Sequence, residues 1–357
     1  MELTVLNTKL EAIDILDFFE SAIWTDRYCK YGDFEIYTPY ETLLERCKQD
    51  YYLSYVQSEH TMIVESIQTN TDRENGNHLT ITGRSLESIL YRRIVWSQTI
   101  ITGSVQDGIK KILMENVISP ELTERTIPNF IFEESMDTAI TSLTITSAQY
   151  NGDWVYDVVA KLCSTYDIGF KITINNNNQF VFKLYAGVDR SYSQEINPYV
   201  IFSPDFDNIL NSNYLESKKN LRNTTLVVGE IIDNVQKGTV VGDGSTGLER
   251  RELYTDASDI SATVDDVTMS DEEYIAQLQQ RGIENLTQYK TTKAFDGEVE
   301  ATSMFLNGTD SYLGDIVQIV DEYGFGSKSR IEEIIHSQNK EGFKTYPTFT
   351  IIEEDNS

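Results

Sequence analysis

The stretch LTITGRSLESILYRRIVW, Leu79 to Trp96, decides how the chain is read. Its first half alternates apolar and polar residues in the two-residue step of a strand, and its second half sets Leu86, Ile89 and Leu90, with Ile94 beyond, along one helical face. Gly83 stands where the strand gives way, and Ser85 is placed to cap the helix behind it. The stretch is also the densest cluster of arginines, Arg84, Arg92 and Arg93, in a chain with 57 Asp plus Glu against 29 Lys plus Arg. Either they form an anion site or the segment is a strand running into a helix. The apolar face favours the second reading: a helix packed as a plug on a β-rich body, with arginines as ion-pair partners, within the fold or across a subunit contact.

Working outward, TMIVESIQT (Thr61 to Thr69) alternates as a strand, and Asn75-Gly76 supplies a tight turn into Leu79 to Thr82, so the opening stretch begins as the second arm of a hairpin. DFEIY (Asp33 to Tyr37) alternates as well and is closed by Pro39. The first hundred residues therefore read as a small barrel or sandwich with one helix attached. Ser104 and Asp107 form a capping pattern ahead of Val105, Ile109, Ile112, Leu113 and Val117 at helical spacing, with Pro120 as the stop. A second helix is expected from Asp153 as N-cap, burying Trp154, Val155, Val158, Val159 and Leu162. Strands Phe170 to Ile174 and Gln179 to Tyr185 flank the polar loop Asn175 to Asn178. Residues of about 98 to 205 thus read as an α+β insert.

Strands return from Asn211 to Glu230, followed by a glycine-rich hairpin through Leu253 and an acidic linker, Asp256 to Asp271. Ser270 and Glu273 make a capping box for a helix with Ile275, Leu278, Gly282 and Leu286 on one face. The last segment is β again at Glu298 to Leu306, Ile316 to Val320, Ser329 to Ile335 and Thr348 to Ile352, with turns at Asn307-Gly308 and Glu341-Gly342. The fold class is α+β and β-rich, with β structure at both ends.

A chain of 357 residues is long enough for more than one core, and 40% hydrophobic with 11% aromatic residues fits a folded soluble protein. No apolar run reaches the roughly 20 residues that span a bilayer, and the N-terminus lacks the pattern of a signal peptide. The formal charge of −28 opposes a grip on phosphates, yet it allows nucleic acid to pass nearby without sticking.

Motifs for chemistry are weak. Gly242 to Gly247 spells GxGxxG, but the exit LERRELYTD has no apolar helical face and the run reads as a hairpin or loop. His60, His78 and His336 are too dispersed for a zinc site and read as surface or strand residues; Cys29, Cys47 and Cys163 read as buried thiols. Acid pairs Glu133-Glu134, Asp265-Asp266 and Glu332-Glu333 are what an acidic surface provides without any cleft. Asp205-Phe206-Asp207-Asn208 lacks the glycine and glutamate of an EF-hand. No cofactor, metal or catalytic residue is expected. The 21 tyrosines serve either as strand formers or as an adhesive surface for glycans or proteins.

The order of several motifs along nearly the whole chain resembles the siphovirus tail protein family of the ReqiPepy Gp37-like type, related to phage tail and baseplate hub proteins. The residues that carry it are Gly83-Arg84-Ser85-Leu86, Ile89-Leu90 and Arg92-Arg93-Ile94-Val95-Trp96, with GDFEIYTP (Gly32 to Pro39), YLGDIVQIVDE (Tyr312 to Glu322) and SRIEEI (Ser329 to Ile334). The resemblance implies two small β-barrel tube domains with α/β inserts, and a homotrimeric ring whose six barrels join a sixfold tail tube to a threefold tip or spike. On that plan the first barrel takes residues 1–97, the insert 98–205, the second barrel 206–255 plus 291–357, and a helical insert 256–290. Implied partners are further copies of the chain, the distal tail protein or tail tube, spike or fibre proteins, and DNA passing through the channel without specific binding. The expected location is the distal tail tip of a virion, in a phage, a prophage product or a tail-like particle, after synthesis in the host cytoplasm. Some relatives carry a C-terminal hydrolase region; this chain ends at Ser357 soon after its last expected strand, so no catalysis is expected. The competing expectations are a tail-tip receptor- or glycan-binding protein and an enzyme with a nonstandard carboxylate site.

Overall fold

The computed structural model describes residues 1–39, 43–73, 76–232, 234–264, 267–298, 305, 308–320 and 326–352. By contact the chain divides into two compact units: residues 1–88, 169–215 and 293–357 form one, and 89–168 with 216–292 form the other. The chain changes unit after Ser88, Ile168, Leu215 and Thr292, against expected boundaries after residues 97, 205, 255 and 290.

In the first unit the expected hairpin is present. Strands Thr61–Asp72 and Gly76–Ser85 pair antiparallel from Met62↔Ser85 to Asp72↔Gly76, and Gly76 has a φ of +81°; Asn75 lies outside the described residues. Leu79, Ile81, Gly83 and Ser85 point inward. Gly83 is required by close approach, since a Cβ there would lie 1.7 Å from the carbonyl oxygen of Ile63. Asp33–Thr38 pairs with the hairpin on one side and with Ser21–Arg27 on the other.

No closed barrel is seen among the described strands. Ser21–Arg27 pairs with Gly326–Asn339, from Ala22↔Gln338 to Arg27↔Glu333, so the strands expected in two barrels run on as one sheet. Its order is Ala12–Leu16, Leu3–Leu6, Tyr52–Tyr55, Thr61–Asp72, Gly76–Ser85, Asp33–Thr38, Ser21–Arg27, Gly326–Asn339, Gly342–Ile351, Thr292–Glu298 and Leu210–Ser217. Ile316–Val320 also pairs with Gly326–Asn339, and Ile201–Phe202 lies parallel to it. Each half of the sheet keeps its own apolar cluster. One holds Trp24, Phe34, Leu53, Val64 and Ile81; the other holds Phe202, Phe295, Val317, Ile331 and Phe349. The expected C-terminal turn is present at Gly342, with a φ of +126°. Most of the expected strand Glu298 to Leu306, together with Asn307, lies outside the described residues.

The hairpin Gly169–Ile174 and Phe180–Tyr185, expected inside an insert, belongs to this first unit. Backbone bonds hold it there: the Phe170 N–H donates to the Tyr28 carbonyl at 3.3 Å, and the Ile172 N–H to the Glu87 carboxylate at 2.7 Å.

In the second unit Ser104 caps the helix Val105–Leu113 by accepting the Asp107 N–H, and a π turn, Met114–Ile118, extends it. The second expected helix is Val155–Thr165, with Trp154 rather than Asp153 at its N-cap. Trp154 is 49% exposed, so it does not join the buried face of Val155, Val158, Val159 and Leu162. The helix Asp271–Thr287 starts with the complete capping box of Ser270 and Glu273. It covers strands Val235–Gly242, Thr224–Ile232 and Glu252–Asp256, and Gly282 lets it lie close, since a Cβ there would meet Val227 and Val241 Cγ2 at 2.8 and 2.9 Å. Its inward face is largely polar: Gln277 bonds Gln149 and Ser147, Glu284 accepts the Tyr150 hydroxyl at 2.6 Å, and Arg281 bonds Asp259. These hydrogen bonds offset the cost of that burial, although Glu284 Oε2 is left without a partner. The expected linker is therefore packed structure, with Ala257, Ile260 and Ala262 buried and Asp259 paired. Asp265 and Asp266 lie outside the described residues.

Candidate functional site

The segment Leu86–Arg92 is a 3-10 helix of seven residues. The i, i+3 spacing of Leu86 and Ile89 suits either helix type. Leu86, Ile89 and Leu90 are buried and Trp96 is 56% exposed. Ser85 does not cap it; the residue closes the strand, fully buried, and its hydroxyl accepts the Gly32 N–H at 2.7 Å.

The arginines have separate tasks. Arg84 holds Glu65 with two bonds of 2.7 Å and lies over the Tyr31 ring at 5.1 Å; that fork geometry is the strong form of an ion pair. The Arg93 guanidinium donates to the carbonyls of Arg125 and Arg92, while Arg92 is exposed. Trp96 carries the Arg125 guanidinium over its ring at 4.7 Å, and its backbone N–H donates to Asn116 Oδ1. Arg84 and Arg93 are spent on protein groups of different elements, the Glu65 carboxylate for one and the Arg92 and Arg125 carbonyls for the other.

The concentrated electrostatics sit one residue beyond the signature glycine, arginine, serine and leucine. Glu87 is fully buried and contacts His60 Nδ1 at 3.1 Å, with His60 only 3% exposed. Asp26, 4% exposed, accepts from Trp24 Nε1 and Ser58 Oγ, both at 2.9 Å. Burial alone would push the His60 imidazole down, but the charge and hydrogen bond of Glu87, with Asp26 adding to them, lift it to about 9. Burial opposes ionisation of Glu87 too, yet His60 and bonds from Ser85 and the Ile172 N–H hold it below the usual range. Burial raises Asp26 above its ordinary value. The result is a charged clamp: Glu87 at the end of one hairpin fixes both the turn before Thr61–Asp72 and the hairpin Gly169–Tyr185. Composition and motif searches miss both partners. The available signal was an acid set inside the apolar run from Leu86 to Leu90.

The other histidines are buried as well. His78 stacks on Tyr37 at 4.8 Å, and His336 sits between Tyr55 and Phe343; strand placement holds for these two and surface placement does not. Cys47 and Cys163 are buried, while Cys29 is half-buried. In the run Gly242 to Gly247, Gly242 closes the strand Val235–Gly242 and a loop follows that enters one 3-10 turn, Gly247–Glu249, and leads to a strand parallel to Thr224–Ile232, without the helix a dinucleotide needs. Asp207 takes a left-handed conformation and Asn208 is spent on the Ser203 N–H and the Ile201 carbonyl. Among the described residues no group of three or more His, Cys, Asp or Glu could hold a metal ion, and no helix is long and apolar enough to cross a membrane.

The chain is acidic and β-rich, its terminal segments share one sheet, and the buried Glu87 and His60 are spent on each other. Residues 2–349 match the siphovirus ReqiPepy6 Gp37-like protein family, and the chain belongs to that family of phage tail proteins. Among solved structures it is similar to the tail protein from Neisseria meningitidis MC58, with a TM-score of 0.58 and 14% identity over 99% of this chain and 96% of that one. It is equally similar to the 43 kDa tail protein of prophage MuSo2 from Shewanella oneidensis, at 0.58 and 13% over 99% and 98%. The prophage tail protein gp18 from Listeria monocytogenes EGD-e follows at 0.51 and 12%, over 100% and 96%. No curated protein matches the chain. The structural likenesses establish a shared fold, and the family assigns a structural role in a phage tail.

Proposed function

We propose that the chain is the hub at the distal end of a phage tail or tail-like particle, three copies closing a ring that joins the tail tube to the tip or spike and leaves a channel for DNA. The observation that carries this reading is the pairing of Ser21–Arg27 with Gly326–Asn339, which sets two β modules, each with its own apolar cluster, side by side in one sheet. Three such chains offer six modules to a sixfold tube. The charge of −28 adds a mechanism: carboxylates facing the lumen repel DNA phosphates and lower friction during ejection. The exposed Arg92 and the neighbouring Arg93 and Trp96 are proposed to face a subunit neighbour. The chain has no catalytic task in this reading, and incubation with peptidoglycan should release nothing.

Electron microscopy of the purified chain, alone and mixed with its tail-tube and distal tail proteins, tests the proposal. Threefold rings are expected. Adhesion of the isolated chain to host cells or glycans, without binding to tail components, would favour a receptor-binding protein at the tail tip.

A further inference from the structure

The first unit holds an open cavity of about 690 Å³ that shares Asp26 and His60 with the clamp above. Its floor follows from strand register. Asp26, Ile334 and Pro347 are direct cross-strand neighbours in one row, and His336 and Thr345 are neighbours in the next row on the same face. All five line the cavity, and Phe202, Ile331 and Phe343 add apolar wall. Two polar groups thus stand on an apolar floor, roughly 7 Å apart along the strand direction.

Neither polar group is saturated. Asp26 receives only neutral donors, Trp24 Nε1 and Ser58 Oγ, and no Lys, Arg or His among the described residues comes within ion-pair distance of it. The charged neighbours are committed elsewhere: Glu87 holds His60, Glu59 holds Lys171, and Arg190 holds Asp315. His336 is 2% exposed and sets its Nδ1 3.4 Å from the Thr345 hydroxyl, but its Nε2 has no hydrogen-bond partner. A buried polar atom left in this state costs about 1–3 kcal/mol.

We propose that this cavity binds an organic cation with an apolar body: a primary ammonium or guanidinium group meets Asp26, and the stem lies on Ile334, Phe343 and Pro347. An anion is disfavoured because every cation at the described rim is already paired. The volume falls within the roughly 300–1,000 Å³ of small-molecule sites. The cation arrives either as a free amine or as a basic side chain on a polypeptide. The inference stands apart from the hub reading and concerns the folded chain alone.

The test is calorimetry on the full chain with 3-phenylpropylamine, 3-phenylpropan-1-ol and 3-phenylpropionate. The amine is expected to bind about tenfold or more tighter than the alcohol, and the acid not to bind. Asp26→Asn keeps an acceptor for Trp24 and Ser58 and should erase the preference for the amine while the alcohol still binds. A blocked Phe-Lys-Phe peptide distinguishes the sources: competition with the amine assigns a polypeptide cation, and binding of the free amine alone assigns a small molecule. Equal binding of all three probes, no binding of the amine by the wild-type chain up to about 10 mM, or an unchanged preference in folded Asp26→Asn would overturn the proposal.

Discussion

Glu87→Gln removes one charge from the clamp while keeping the side chain's volume and an acceptor for the Ile172 N–H. In the wild-type chain His60 stands at about 9, against an ordinary 6.5. At about 1.36 kcal/mol per unit this is worth about 3 kcal/mol, without discount for screening, because His60 is 3% exposed. A raised folded-state value means that the protonated form is the one that stabilises. That stability is fully present below pH 6.5 and is lost as pH rises through about 9. Glu87 is held below its ordinary 4.5, so its share is present above that pH and lost as pH falls through the lower folded-state value. The unfolding free energy of the first unit should therefore fall by about 1.4 kcal/mol per pH unit between 6.5 and 9. In Glu87→Gln the slope should flatten and stability near pH 6 should drop by about 3 kcal/mol, the scale for breaking a buried pair. Urea unfolding followed through the emission of Trp24 reads this unit, since Trp24 is fully buried while Trp96 and Trp154 are 56% and 49% exposed. A flat wild-type profile across that window, or an equal slope in the variant, would refute the reasoning.

Other perturbations separate local effects from assembly. Arg84→Ala should cost about 1 kcal/mol in urea unfolding, because its pair with Glu65 is bidentate but about a third exposed on both sides; the cost should shrink, to the share held by the Tyr31 ring, in a chain that already carries Glu65→Ala. Gly83→Ala forces a Cβ against the Ile63 carbonyl and should destabilise by about 3 kcal/mol or more, read as loss of soluble protein or a lowered Tm. Ser270→Ala removes a complete capping box and should cost about 1 kcal/mol, with an unchanged tertiary spectrum. Burial pushes the Cys47 thiol up to about 12 and raises Cys163 further, so both should resist alkylation in the native chain at neutral pH and react on unfolding, as mass spectrometry would record. Replacing Arg92 and Arg93 together with Glu should disturb folding or ring assembly, measured by sedimentation; normal assembly with loss of binding to an anion would return the stretch to a ligand site.

What was legible in the sequence was local. The hairpin ending at Ser85, the Ser104 and Ser270 caps and the Gly169–Tyr185 hairpin each depend on residues a few positions apart, where turn chemistry and periodicity act directly. Closure of the sheets was not legible. Pairing of Ile334 with Asp26 joins opposite ends of the chain, and no periodicity records whether a strand closes on its own module or continues into another. The 3-10 geometry of Leu86–Arg92 escaped for a different reason, because a seven-residue segment with i, i+3 apolar spacing fits two helix types. The polar face of Asp271–Thr287 defeated an apolar reading of that helix: Gln277, Arg281 and Glu284 are buried among hydrogen-bond partners. The clamp itself was half visible. Glu87 interrupts an apolar run, but its partner His60 lies 27 residues away and becomes one only through burial.

Electron microscopy of the chain assembled with its own tail-tube and distal tail proteins, at a resolution that shows the lumen, bears most directly on the proposed hub. Three copies in a ring with the two β modules alternating around an acidic open channel is the predicted result. A chain that stays monomeric beside its tail proteins, or a ring whose channel is basic, would contradict it.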